Sequence, residues 1–245
     1  MQGYRFPTLG QIPPIVKNII IINILFFLGS ELTNYNKAVE LFGMFYPASD
    51  FFRPHQLVTH MFMHGGLSHL FFNMFALFMF GRTLESVWGS KRFLIYYMVT
   101  GLGAAFIHLL VIFIRIQYIS ASLSPEAISE VYINGAKIFA SGKNYIDAGM
   151  ASLNSLLNVP TIGASGAVFG VLLAFGMLFP NTELILLFPP IPIKAKWFVI
   201  GYGVLELWLG VANRGGDNVA HFAHLGGMIF GFILIKYWNK KRRHY

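Results

Sequence analysis

Residues 163–179 read GASGAVFGVLLAFGMLF, a run with no charged side chain and one polar one, Ser165. In lipid every backbone amide must be satisfied within its own segment or inside protein, so an uncharged run of this length reads as a membrane-crossing helix. The rest of the chain agrees. Of 245 residues, 56% are hydrophobic and only 11% charged, and the mean hydropathy is +0.60. Soluble domains carry roughly a quarter charged residues, so this composition excludes an ordinary water-soluble enzyme. The chain has no cysteine, which excludes disulfides, thiolate metal sites, iron–sulfur clusters and thiol nucleophiles.

Five further low-charge runs, about 15–30, 68–87, 93–114, 197–212 and 219–237, approach the ~20 residues that a bilayer requires. The expected fold is an all-α membrane protein of six transmembrane helices, one polytopic domain over 1–245. No small-residue cleavage site follows the first run, so it reads as retained rather than as a signal peptide. Two long external connections remain, about 31–66 and 117–160. The first contains LFGMFYPASDFFRP and suits a structure half in the membrane interface. The second is rich in Ser and Asn, and its pattern supports no more than a short helix or hairpin.

Six spans place both termini on one side. Twelve of the 18 Lys and Arg fall there: Arg5, Lys17, Arg82, Lys91, Arg92, Lys194, Lys196, Lys236, Lys240, Lys241, Arg242 and Arg243. The other six are Lys37, Arg53, Arg115, Lys137, Lys143 and Arg214. Cytoplasmic loops carry the excess of positive charge, so both termini are expected in the cytoplasm. The net charge of +8 then marks that face beside anionic lipid, and a nucleic-acid partner is not expected. With no recognisable transit peptide, the expected location is the plasma (cell inner) membrane, as a multi-pass protein.

Polar residues inside spans are costly and are functional candidates by default. Ser165 is flanked by Gly163 and Gly166, with Gly170 one turn on. In the sixth run His224, Gly227 and Gly231 fall at i, i+3 and i+7 on one helical face, a spacing that Gly163, Gly166 and Gly170 repeat. Two glycine-lined helices can approach closely enough for a serine hydroxyl to meet an imidazole. Both runs enter from the external side, Ser165 about 4 and His224 about 6 residues in, or roughly 6 and 9 Å deep. Matched depth suits a nucleophile and its general base. His69 and Asn73, four apart at the same end of the second run, are donors suited to a developing oxyanion.

The Gly163–Gly166 element, AHLGG around His224 and HLFFN in the second run, with THMFMH before and LESVWGS after, resemble the rhomboid family of intramembrane serine proteases. That resemblance implies a rhomboid-like bundle and a catalytic dyad, Ser165 as nucleophile and His224 as base, with no acidic third member. It implies an oxyanion hole of His69, Asn73 and the Ser165 amide, a supporting role for His64 at the first external connection, and a structural pairing of Glu85 with Gly89. It also implies transmembrane protein substrates entering near the second and fifth spans, and neither cofactor nor metal. Of the two carboxylates near the site, Asp217 reads as a surface cap of the sixth helix. Glu206 reads as leaning into a water-filled cavity, with substrate gating as its other possible role. His60 and His221 read as supporting or loop residues and His108 as a packed one. The chain departs from the family pattern at His55 and Gln56, where many members carry Trp and Arg, and at Phe169, where a Tyr often stacks on the histidine.

Two other readings compete. His60, His64, His69, His221 and His224 could converge in a membrane metal- or haem-binding protein, but no HExxH and no nearby acidic ligand supports this. A catalytically inactive rhomboid-like scaffold that binds membrane proteins would be expected to lack the serine or the histidine.

Overall fold

The computed structural model describes residues 12–185, 190–212 and 221–242, excepting the side chains of the last two. The first helix, α1 (Pro14–Leu32), starts on proline, whose missing N–H costs nothing at a helix start. Its first free amides, Ile15 and Val16, donate to the Glu85 carboxylate at 3.0 and 2.8 Å. Ser90 donates to the same carboxylate at 2.6 Å. Glu85 therefore caps one helix while tying it to the junction of two others.

The first long connection is ordered protein. It holds α2 (Tyr35–Phe42), capped by Asn34, and a short α3 (Gln56–Thr59) that runs into a tighter turn at His60–Phe62. Where the family pattern would place an arginine, Gln56 is fully buried. It accepts from the Arg53 amide at 2.9 Å and donates to the Glu40 and Phe51 carbonyls at 2.9 and 3.0 Å. His55 Nε2 lies 2.7 Å from the Leu41 carbonyl. The loop is thus stapled by a neutral amide and an imidazole.

The second apolar run forms α4 (Leu67–Ala76), a π-helical turn at Leu77–Gly81 and α5 (Arg82–Trp88). Gly89, at φ +78°, takes a left-handed conformation that releases the chain into α6 (Ser90–Ser120), 31 residues long. The helix thus runs on beyond the expected end at 114. The region expected to hold at most a short helix or hairpin contains two helices, α7 (Pro125–Ala140) and α8 (Ala148–Asn158). Ser124 and Asp147 cap them, and Val131, Leu153 and Leu157 pack on Ile112 and Ile116 of α6. A chain of side-chain amides, Asn144 to Asn154 to Asn158, ends on Ser49 and fastens this pair to the first connection.

The last part comprises α9 (Ser165–Leu178), a two-stranded antiparallel hairpin of β1 (Glu183–Ile185) and β2 (Pro192–Lys194), α10 (Ala195–Ala212) and α11 (His221–Arg242). The hairpin has no counterpart in the expected all-helical layout. Among the described residues, four helices are long and apolar enough to cross a membrane: α1, Leu67–Trp88, α6 and α10. Helix α10 has 18 residues, longer than the expected fifth run. Helix α9 has 14 and is the central, most enclosed element.

The glycine stripes divide between two neighbours. A Cβ at Gly227 would overlap the carbonyl oxygen of Gly166, so α9 and α11 touch backbone to backbone at their start. Deeper down, Gly170 faces Thr100 and Gly231 faces Tyr96, both on α6. Tyr96 fills that space and donates to the Gly170 carbonyl at 2.8 Å.

Candidate active site

Ser165 is the first residue of α9, so it sits at the helix mouth rather than a turn within it. The loop before it is held from three sides. Met44 and Thr161 exchange both backbone hydrogen bonds at 2.9 and 2.8 Å, the Gly163 amide donates to the His60 carbonyl at 2.9 Å, and Thr161 Oγ1 lies 2.7 Å from His108 Nε2. His108 is therefore an anchor of this loop and more than a packed ring. Gly163 has φ +128°, and a Cβ there would meet the His69 ring at 2.9 Å. Glycine is required on both counts.

Close contact at Gly166 and Gly227 brings Ser165 Oγ to 2.8 Å from His224 Nε2. Phe169, one turn along α9, stacks on the imidazole with centroids 4.2 Å apart and planes 5° from parallel, so the phenyl ring supplies the stacking face. His69 accepts at Nδ1 from the Gly65 amide, 3.2 Å away. A neutral imidazole carries one proton, so Nε2 is then its donor, and this edge lies against Gly163 beside Ser165. Asn73 is buried and gives one N–H to the His69 carbonyl at 2.9 Å. Ser165, His224, His69 and Asn73 line one open cavity of 2620 Å³. Backbone amides at the start of α9 precede its first helical hydrogen bond, from Val168 to the Ala164 carbonyl, and are donors of the kind that hold anions.

His64 is fully buried, with its ring edge-on to His69 at 5.0 Å and neither nitrogen hydrogen-bonded. Burial, then the neighbouring His69, pushes its pKa down to about 4. His60, buried with Nδ1 donating to the Gln56 carbonyl at 2.8 Å, is likewise pushed down to about 4 by burial.

Two expectations fail at Glu206. It is not on the cavity wall, whose α10 part is Trp197, Phe198, Gly201, Tyr202 and Leu205. Nor does His224 lack a carboxylate: Glu206 Oε2 lies 2.9 Å from His224 Nδ1 and 2.6 Å from His221 Nδ1. The cause is register, since α10 packs along α11 and position 206 meets the first turn of that helix. An intramembrane carboxylate was the available signal, but its partners sit on another helix, 15 and more residues on. Asp217 lies outside the described residues.

Among the described residues, Glu206, His221 and His224 form the cluster in which a metal could be sought, their ligand atoms within 4.8 Å of one another. Zinc at ~2.0–2.2 Å from each ligand in tetrahedral geometry would hold the ligand atoms roughly 3.3 Å apart. The observed 2.6 and 2.9 Å are hydrogen-bond separations. His60, His64 and His69 do not join the cluster.

Comparison with known proteins agrees with this architecture. The family model for the Rhomboid domain matches residues 52–240. Rhomboid protein 1, mitochondrial, of Saccharomyces cerevisiae is 28% identical over 75% of this chain and 42% of its own length. RHOMBOID-like protein 12, mitochondrial, of Arabidopsis thaliana is 28% identical over 78% of this chain and 47% of its own. Rhomboid-like protein 11, chloroplastic, of the same plant is 25% identical over 89% and 62%. The chain spans about half the length of the curated relatives it matches.

Proposed function

The chain belongs to the rhomboid family, and on that premise we propose that it is an intramembrane serine protease cutting peptide bonds in or beside the transmembrane helices of other membrane proteins. The observation that carries this reading is the 2.8 Å contact between Ser165 Oγ and His224 Nε2 at the mouth of an open cavity. Ser165 Oγ attacks the scissile carbonyl carbon as its proton passes to His224 Nε2. The C–N bond then breaks, the proton goes to the leaving amine, and water hydrolyses the acyl-enzyme by the same route in reverse. His69 Nε2–H, the second N–H of Asn73 and the first amides of α9 stabilise the oxyanion. His64, Gly163 and Gly166 support this geometry.

The proposed protein is a single polytopic domain over residues 1–245 with six spans and cytoplasmic termini. Helices α9 and α11 join the four membrane-length helices in the count, and the 12-to-6 distribution of Lys and Arg supports the orientation. Its partners are the bilayer and membrane-protein substrates, and the reaction uses no metal, cofactor or nucleic acid. The proposed location is the plasma (cell inner) membrane. The relatives' names place those proteins in mitochondria and chloroplasts, so membrane fractionation decides between these sites.

The test incubates detergent-purified protein with a single-span substrate and a fluorophosphonate probe, beside Ser165→Ala and His224→Ala. Cleavage and labelling are expected in the wild type alone. Cleavage that survives in Ser165→Ala overturns the mechanism, and substrate binding without cleavage by the wild type favours the inactive scaffold.

A further inference from the structure

We propose that Glu206 is a positioning residue of this reaction, holding His224 in the tautomer that leaves Nε2 bare toward Ser165. The inference rests on the reading of Ser165 and His224 as nucleophile and base. The imidazole of His224 has an oxygen beside each nitrogen: Nε2 is hydrogen-bonded with Ser165 Oγ at 2.8 Å, and Nδ1 lies 2.9 Å from Glu206 Oε2. An ionised carboxylate can only accept, so the nitrogen facing it carries the proton. A neutral imidazole has one N–H, and with it on Nδ1 the lone pair at Nε2 is free to take the serine proton.

The carboxylate is itself fixed. His221 Nδ1 donates to the same oxygen at 2.6 Å, and Glu206, His221 and His224 are 7%, 8% and 8% exposed. A buried carboxylate needs charge-assisted donors around it, and two imidazole edges supply them. With Phe169 against its ring face and Ser165 at Nε2, His224 presents Nδ1 to the Glu206 carboxylate. The His224 N–H is out of line for a full hydrogen bond with Glu206. Such bonds are commonly misaligned before substrate binds and tighten during reaction. When His224 takes the serine proton, the 2.9 Å contact becomes an ion pair in a site shielded from water, and no proton needs to reach Glu206. Two imidazoles of α11 thus converge on an oxygen of α10 that a gating or hydrating residue would have presented to the cavity.

The test has two readouts. Glu206→Gln keeps the shape, but its amide can present an N–H to Nδ1 and favour the wrong tautomer. It is expected to lower kcat on the order of 10²-fold or more, with KM and thermal midpoint near wild type. Nitrogen-15 NMR of histidine-labelled wild type, with the His224 signals assigned by their loss in His224→Ala, is expected to show the proton on Nδ1, and Glu206→Gln to lose that signature. A wild-type His224 protonated on Nε2 overturns the proposal without any need for the variant to fold. So does a Glu206→Gln variant whose kcat stays within threefold of wild type, or whose His224 tautomer is unchanged. If instead Ser165→Ala still cleaves, the protease reading fails while the tautomer remains measurable, so the two failures are distinct.

Discussion

Replacing Gly227 by alanine tests whether backbone contact between α9 and α11 sets the reactive distance. Gly227 follows His224 by one turn, and Gly166 follows Ser165 directly. The new methyl would fall on the Gly166 carbonyl oxygen, and backbone cannot rotate out of the way. The helices must part on the order of 1 Å, a misplacement that can cost about 10²-fold in rate. The hydroxyl–imidazole contact, now 2.8 Å, would pass the ~3.2 Å limit of a useful hydrogen bond. Overpacking should also destabilise the fold by roughly 1–3 kcal/mol. Cleavage of a single-span substrate and fluorophosphonate labelling should both slow by about 10², with a lowered thermal midpoint. Gly29→Ala is the control: a Cβ there meets nothing within 4 Å, and alanine in a helix is favoured over glycine by roughly 0.5–1 kcal/mol. If Gly227→Ala retains activity within threefold and an unchanged midpoint, close helix contact does not set the geometry.

Acid should loosen the external connection before it affects the spans. His60 and His64 are neutral when folded, with pKa values near 4 against an ordinary 6.5, so the unfolded chain binds more protons between those limits. Stability is therefore complete above pH 6.5 and falls as pH drops towards 4, by up to about 1.4 kcal/mol per histidine per pH unit. Thermal midpoints measured from pH 7.5 to 4.5 check this, and a flat profile refutes it. Gln56→Ala strips the Arg53 amide and the Glu40 and Phe51 carbonyls of their partner, and should cost about 2 kcal/mol or more. An unchanged unfolding midpoint would show that the loop is held elsewhere.

The membrane character and the pairing of Ser165 with His224 could be read in sequence because charge is so sparse that each polar residue in an apolar run stands out. The helices of the second long connection were not legible for the opposite reason. Residues 125–140 and 148–158 mix Ser, Asn, Gly and apolar positions, and their helicity depends on capping by Ser124 and Asp147 and on the exposed flank of α6. Glu206 was visible as an intramembrane carboxylate, but its distance to His224 is a matter of helix rotation that spacing along one segment does not report. Gly163 read as part of the fourth span's stripe, whereas its positive φ places it in the loop that presents Ser165. Gly163 and Gly166 belong to one small-residue pattern, and only the backbone distinguishes a packing glycine from a turning one.

The length of α9 has a consequence of its own. Fourteen residues rise about 21 Å, against about 30 Å of hydrocarbon in a typical bilayer. Under the proteolytic reading, the enzyme is therefore a gauge of depth as much as a reader of sequence. A bond is eligible when its own helix brings it to the level at which α9 begins, so raising or lowering a substrate in the bilayer should move the cut along its chain.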